Sequence, residues 1–311
     1  MYQAALRGLG LPHSFKGEGA WSRREFSDVL SDPSFDGVAI DYGFKVAAIS
    51  HIQYLSTHAR NIGAVNTVIP TQGDWSGNDV SKLDLQLNKA FIGPKKGLFG
   101  ENTDWIGIYR CIEQRISSAH AITPKTTAVV IGADGTSRAA IYALIQLKVP
   151  NIFVYRPGDP KAHTIANHFN SLDMNSAARP DNMHQAKRQR TQAYQIHVIE
   201  SPDDKWPTWL SPPTFVVSCL PSHGASIRQS PQFQLPSSWL TSPTGGIIVE
   251  TSYEPLIDPV KDWMTVSGLQ LLPERAAPQF ELLTGRRSPR TRMALAVWKH
   301  HEAEKLRLKP Q

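Results

Sequence analysis

Apolar residues along this chain fall into two alternating rhythms, short β-branched runs of strand length and longer stretches with apolar positions three and four apart. Tyr2, Leu6 and Leu9 open the chain at helical spacing, and a second helix is predicted near Trp21 to Leu30. The run Gly37-Val38-Ala39-Ile40 reads as a strand, Val46 to Leu55 as a helix, and Ala64 to Ile69 as a further strand. Between Thr71 and Leu98 the chain turns polar and weakly periodic, which predicts an inserted excursion or hairpin rather than a core element, with Trp75 covering something apolar. A helix is expected from Ile106 to about Ser117, then a linker near Ala121 to Lys125. Strand-like runs recur at Asn151 to Arg156, Tyr194 to Ile199, Phe215 to Cys219 and Gly246 to Thr251, the βαβ rhythm of a doubly wound sheet. Ser171 to Gln192 is polar and basic and reads as a mobile insertion, whereas Glu274 to Leu283 and Thr291 to Leu306 carry helical spacing. No internal repeat occurs at solenoid periods.

One stretch stands apart. In Val129-Val130-Ile131-Gly132-Ala133-Asp134-Gly135-Thr136-Ser137-Arg138 a β-branched run feeds a glycine turn that opens directly into a helix-forming segment. That is the first βα unit of a Rossmann-type fold, in which backbone N–H groups meet a diphosphate at a helix N-terminus. Asp134 stands where the pattern wants its second glycine. A side chain there crowds the ligand and a carboxylate repels it, at a cost on the order of several kcal/mol unless it is protonated or turned outward. Gly132, Ala133, Asp134, Gly135, Thr136 and Ser137 are therefore the candidate cofactor-binding positions.

The length of 311 residues and a 41% hydrophobic content allow two ordinary domains with real cores. No stretch approaches the ~18 apolar residues that span a bilayer, and the N-terminus carries no signal-peptide core. Cys111 and Cys219 lie far apart in apolar surroundings, which reads as reduced core thiols in a cytoplasmic or nuclear protein. The net charge of +6 is mild, and much of it is local, at Arg179, Lys187, Arg188 and Arg190 and again at Arg286, Arg287, Arg290 and Arg292. Without zinc-finger spacing, a helix-turn-helix pattern or an RNA-binding aromatic motif, these clusters read as solvated loops, so neither nucleic acid contact nor a metal site is expected.

Six strings follow in order: Phe44-Lys45, Gly63-Ala64-Val65-Asn66-Thr67, Asn102-Thr103-Asp104-Trp105, the glycine turn through Arg138, Glu250-Thr251-Ser252-Tyr253-Glu254-Pro255, and Gln279-Phe280-Glu281-Leu282-Leu283-Thr284-Gly285. Together they resemble the shikimate/quinate dehydrogenase family of the fungal type, as at the end of the arom polypeptide and in its relative the quinate repressor. The resemblance covers nearly the whole chain. It implies a two-domain α/β fold: residues 1–120 a substrate-binding domain, 121–260 a Rossmann-like domain of the NADP-binding type, and 261–311 helices packing back on the first.

The resemblance assigns Lys45 and Asp104 as the catalytic pair flanking the hydroxyl that becomes a ketone. The chemistry needs such a pair, because hydride departure from a C–H requires removal of the O–H proton. Taken alone, a surface lysine and a helix N-cap aspartate would be the ordinary reading. Asn66 and Asn102 match residues that hydrogen-bond the substrate hydroxyls, which suits an amide because it donates and accepts at once. The structural alternative is turn geometry, which Asn also favours. Tyr253 matches a substrate-pocket tyrosine, although a packed strand-end Tyr is an alternative. Arg156, at the end of the second strand of the nucleotide unit, favours NADP over NAD, and Arg138 matches a second basic residue of the family.

Four departures point away from catalysis. In the family an opening strand and a serine turn that grips the substrate carboxylate precede the helix at which this sequence starts. The expectation is therefore a missing clamp and a fragment or late-start gene model. Asp41-Tyr42-Gly43-Phe44 replaces the threonine and proline that usually lead to the lysine, and Arg275 replaces a glutamine that touches the ligand. An arginine there can instead catch a carboxylate. Asp134 is the fourth. The resulting expectation is a ligand-binding or regulatory module of the quinate-repressor type with impaired or lost catalysis and weakened or lost NADP binding, taking a shikimate- or quinate-type ligand and, if regulatory, a protein partner. The alternative is an active NADP-dependent shikimate or quinate dehydrogenase.

Overall fold

A computed structural model of the chain describes residues 1–17, 22–41, 43–72, 96–156, 158–172, 193–220, 235–253, 257 and 260–308. Tyr42, Trp75, Pro157, the basic stretch with Arg179, Lys187, Arg188 and Arg190, and Glu254 and Pro255 lie outside the described residues.

The N-terminal part runs through helix α1 (Tyr2–Gly8), α2 (Arg23–Ser31), strands β1 (Val38–Ala39) and β2 (Tyr54–Leu55), α3 (Thr57–Ile62), β3 (Thr67–Thr71), β4 (Gly97–Glu101) and α4 (Asp104–Glu113). Its four strands order as β1-β3-β4-β2, antiparallel except for the parallel β2/β4 pair. α2 starts where a capping box forms, with Ser22 accepting from the Glu25 N–H and Glu25 reaching back to the Ser22 N–H. The expected helix from Val46 to Leu55 is instead a 3₁₀ turn, Ala47–His51, followed by β2. Tyr54 and Leu55 pair with Phe99 and Gly100, a non-local register that settles an apolar run too short for periodicity to classify. The strand expected at Ala64 to Ile69 is displaced to Thr67–Thr71, and the polar excursion ends in β4, a strand that the sequence pattern does not announce.

The second sheet holds β5 (Thr127–Ile131), β6 (Asn151–Tyr155), β7 (Gln195–Ile199), β8 (Pro213–Ser218), β9 (Gly246–Glu250) and β10 (Trp263–Val266). All its pairings are parallel and the order is β10-β9-β8-β5-β6-β7, the 3-2-1-4-5-6 arrangement of the Rossmann fold counted from β5. Each of β5 and β9 is buried at every position, as strands covered on both faces must be. One face packs Ala128, Val130 and Val217 under α5 (Gly135–Gln146) and α6 (Lys161–Ser171). The other packs Val129, Ile131 and Val216 against Trp239 and Trp263. The strand order reverses between β5 and β8, so the crevice beyond their carboxyl ends, at Gly132 and Cys219, is where such sheets take ligands.

α7 (Gly268–Thr284) and α8 (Arg290–Leu308) leave this sheet, α7 packing on α4 and β3 and α8 on α1. α7 begins a turn and a half before the expected Glu274, because a capping box between Ser267 and Gln270 starts it and two internal prolines, Pro273 and Pro278, are tolerated. No described helix is long and apolar enough to cross a membrane.

Candidate functional site

Lys45 follows β1 and a turn that carries it between the two sheets; its side chain is 4% exposed. Its Nζ donates to Asp104 Oδ2 at 2.7 Å and to Thr136 Oγ1 at 3.0 Å. A surface lysine is thereby excluded. So is an N-cap role for Asp104, which is the first residue of α4 and turns its carboxylate to Lys45 and to the Asn66 amide, 2.9 Å from Oδ1. Burial pushes the Asp104 pKa up, but Lys45, Arg275 and these hydrogen bonds outweigh it, and the carboxyl is held below its ordinary range.

Asn66 and Asn102 are spent on the protein itself. Asn66 donates to Thr103 Oγ1 and Asp104 Oδ1 and accepts from Thr67 Oγ1 and the Thr103 N–H, so both donors and both lone pairs are engaged. Asn102 donates to Ala64 O and accepts from the Asp104 N–H in an Asx turn at a position with no exposure. Both side chains hold Asp104 in this arrangement, and neither residue adopts the left-handed backbone of the turn alternative, the positive-φ non-glycine residues among those described being Lys148 and Asp262. Gln279 completes this scaffold. Its amide donates to Asn66 O at 2.8 Å and Thr67 Oγ1 at 2.9 Å, and its oxygen accepts from the Tyr2 hydroxyl. Gln279 opens the last of the six strings without being expected as a site residue, and neither Thr103 nor Tyr2 carries a sequence signal of its own.

At the glycine turn, Gly132 has φ +126, and a Cβ there would meet Ser137 Oγ at 2.6 Å, so only glycine fits. Asp134 is the N-cap of α5. Its Oδ1 accepts from the Thr136 N–H at 2.9 Å, the Ser137 N–H at 2.9 Å and Ser137 Oγ at 3.1 Å. The expected crowding takes another form than a clash. The carboxylate lies in the anion site of the helix and holds the amides that would meet a diphosphate, so as arranged the turn does not fit that group. Gly135 packs straight onto Lys45, where an added Cβ would come within 2.7 Å of the lysine Cβ. The Arg138 guanidinium is turned to Ile62 O, 3.4 Å away at the C-terminal end of α3, a place a cation favours. Arg156, just past β6, has no side-chain partner among the described residues. Ala133 is half-buried beside the core under α5.

A cavity of about 530 Å³ opens at the crevice. Thr136, Cys219, Thr251, Tyr253, Arg275 and Asp41 line it, together with His300, His301 and Glu304 from α8. Lys45 and Asp104 are not part of its lining. Arg275 points into it from α7, with Nη2 donating to the Tyr253 hydroxyl at 3.2 Å and Nη1 3.7 Å from Asp104 Oδ1. Burial lowers the guanidinium pKa, but Asp104, Tyr253, Asp41 and Tyr2 together raise it further, so it stays charged. No cluster of His, Cys, Asp and Glu suited to a metal ion occurs among the described residues.

Comparison with known proteins accords with this geometry. No protein-family model matches the chain. The quinate repressor protein of Emericella nidulans is 38% identical over 313 residues, covering 98% of this chain and 33% of the repressor, so the chain spans about a third of that relative. The solved structure of dehydroquinate dehydratase and shikimate dehydrogenase from S. pombe AroM matches 95% of this chain and 50% of its own, with TM-score 0.60 and 26% identity. Shikimate 5-dehydrogenase from Thermus thermophilus, solved with NADP(H) and shikimate, shares the fold at TM-score 0.61 and 21% identity, over 96% of this chain and 94% of its own. By sequence and by fold alike, the chain belongs to the shikimate/quinate dehydrogenase family, in the fungal branch of the AROM polypeptides and quinate repressors.

Proposed function

We propose that this shikimate dehydrogenase-like chain has impaired or lost hydride chemistry and acts as a ligand-binding or regulatory module of the quinate-repressor kind. The observation that carries the reading is the Asp134 carboxylate bonded to the Thr136 and Ser137 amides. A diphosphate must displace it or bind beside it. Two charges 4 Å apart near a protein surface repel by about 4 kcal/mol, and turning the carboxylate outward breaks its bonds to the Thr136 and Ser137 amides. That corresponds to roughly a thousandfold loss of affinity, enough to empty the site at ordinary dinucleotide concentrations. The Lys45–Thr136 contact and the packing of Gly135 on Lys45 close the same region from the substrate side. The ligand proposed is a shikimate- or quinate-type carboxylic polyol, taken up at the cavity, with a protein partner reading its occupancy and with no nucleic acid contact.

The test is calorimetry with NADP⁺ on the wild type and on Asp134→Gly, together with absorbance at the NADPH band in the presence of shikimate or quinate. The wild type should show neither heat nor turnover, and Asp134→Gly should gain NADP⁺ binding. Turnover that vanishes in Lys45→Ala would overturn the reading.

One observation favours a second reading, an active NADP-dependent shikimate or quinate dehydrogenase: the 2.7 Å Lys45–Asp104 pair is intact. Lys45 would then hold the hydroxyl proton, Asp104 would orient the amine, and Arg156 would face the 2′-phosphate.

A further inference from the structure

The closed end of the cleft carries more positive than negative charge. Lys45 and Arg275 face one buried carboxylate, Asp104, while Asp41 and Glu304, which also line the cavity, are exposed, Glu304 lying 3.3 Å from His300. Asp104 is already well served by the shorter of the two contacts, 2.7 Å against 3.7 Å. Arg275 therefore keeps most of its five N–H donors unengaged among the described residues, its one hydrogen bond going to Tyr253. The side chain is 16% exposed, and what is exposed faces the cavity. A guanidinium removed from bulk water with donors to spare is a site for a planar, bidentate anion. Tyr253, Thr136 and Thr251 line the same cavity and bring hydroxyl groups suited to a polyol ring.

We infer that Arg275 reads the carboxylate of a hydroxylated ring acid and so seats the ligand with its acid end beside Asp104 and Lys45. The inference rests on the ligand-binding reading above and adds an orientation to it. Oxidation requires a ring hydroxyl next to the Lys45–Asp104 pair, where the proton is removed. With the acid group drawn to Arg275, that hydroxyl lies elsewhere on the ring, and the pocket binds its ligand without positioning it for reaction. Silence at this end is then independent of Asp134.

Calorimetry with shikimate, quinate and the methyl ester of shikimate tests the inference. Both acids should bind the wild type, and the uncharged ester should bind on the order of ten- to a hundredfold more weakly, the usual worth of a charge-assisted contact. Arg275→Gln should weaken the acids by a similar factor and leave the ester unchanged, with Arg275→Lys recovering part of the loss. Asp104→Asn gives the orientation by its sign. Removing a negative charge beside the acid end should tighten the acids, whereas a hydroxyl hydrogen-bonded to Asp104 would make binding weaker. Equal binding of acid and ester by the wild type, acid binding indifferent to Arg275→Gln, or weakened binding in Asp104→Asn would each overturn the inference while leaving a ligand-binding module standing. Failure of both acids and the ester to bind the wild type would overturn the inference and that reading together. The acid–ester comparison needs no variant, so it decides the matter even where a substitution impairs folding.

Discussion

At the glycine turn, Asp134 Oδ1 collects two backbone amides and a hydroxyl within 3.1 Å, whereas at the other end of the cleft the Arg275 guanidinium makes, among the described residues, one hydrogen bond and a 3.7 Å approach to a carboxylate that Lys45 already holds. The first is an anion site filled by the chain itself and the second a cation whose guanidinium makes one hydrogen bond among the described residues. An external anion has nothing to gain at the turn and a good deal to gain at Arg275. Ligand preference in a two-ended cleft is thus set by which end has already satisfied its own charge, and substitutions can act on the two ends separately.

The largest effect is expected at the carboxylate both cations share. Asp104→Ala leaves Lys45 and Arg275 buried without a counter-charge and should destabilise the protein by about 3–5 kcal/mol in urea unfolding. Lys45→Met should cost less, because Arg275 is within 3.7 Å of the remaining carboxylate. Equal losses would mean that Arg275 does not sense Asp104 at all. The same carboxylate gives a pH dependence. Its pKa in the folded chain lies below the ordinary value, so its contribution is fully present above about pH 4 and is lost as pH falls through the folded value. The urea midpoint should therefore drop as the pH is lowered from about 5 to about 3, and should drop less in Asp104→Asn.

A smaller effect is expected at the turn. Asp134→Ala removes the N-cap of α5 and should cost about 1 kcal/mol, while Asp134→Gly should cost only a few tenths, since glycine is itself tolerated at N-caps. A loss of several kcal/mol in Asp134→Gly would show that the carboxylate does more than cap the helix, and the account of a self-filled anion site would need revision.

What the sequence disclosed follows from how local each signal is. The unit from Val129 to Ala140 was legible because a β-branched run, a glycine that must adopt φ +126 and a helix start are all encoded within a dozen neighbouring residues. β10 and β2 were not, because four- and two-residue strands are defined by their partners β9 and β4 rather than by their own pattern. Lys45 and Asp104 stand 59 positions apart, and only matching strings, not spacing, placed them together. The saturation of Asn66 depends on Thr67, Thr103 and Asp104 at once, a count of donors and lone pairs that no linear pattern records. The inward turn of Asp134 could have been found. Asp immediately before Gly135-Thr136-Ser137 has the form of an N-cap with a polar residue at N3, a local signal that coincides with the position of the pattern's second glycine.

A change in stability close to zero is expected from Arg275→Met, and here that result is the informative one. The substitution removes one hydrogen bond to Tyr253 and the 3.7 Å approach to Asp104, while Asp104 retains Lys45 at 2.7 Å and Asn66 at 2.9 Å. Against this loss stands the desolvation of a buried guanidinium, which an apolar side chain of similar reach does not suffer. The terms nearly cancel, so the ligand-free protein should change by less than about 1 kcal/mol in either direction. Thermal unfolding with and without shikimate then separates structure from function at this residue. The wild type should gain stability with ligand concentration as mass action requires, and Arg275→Met should gain little. A loss of several kcal/mol without ligand would make Arg275 a structural counter-ion of Asp104, and the two ends of the cleft would then be satisfied alike.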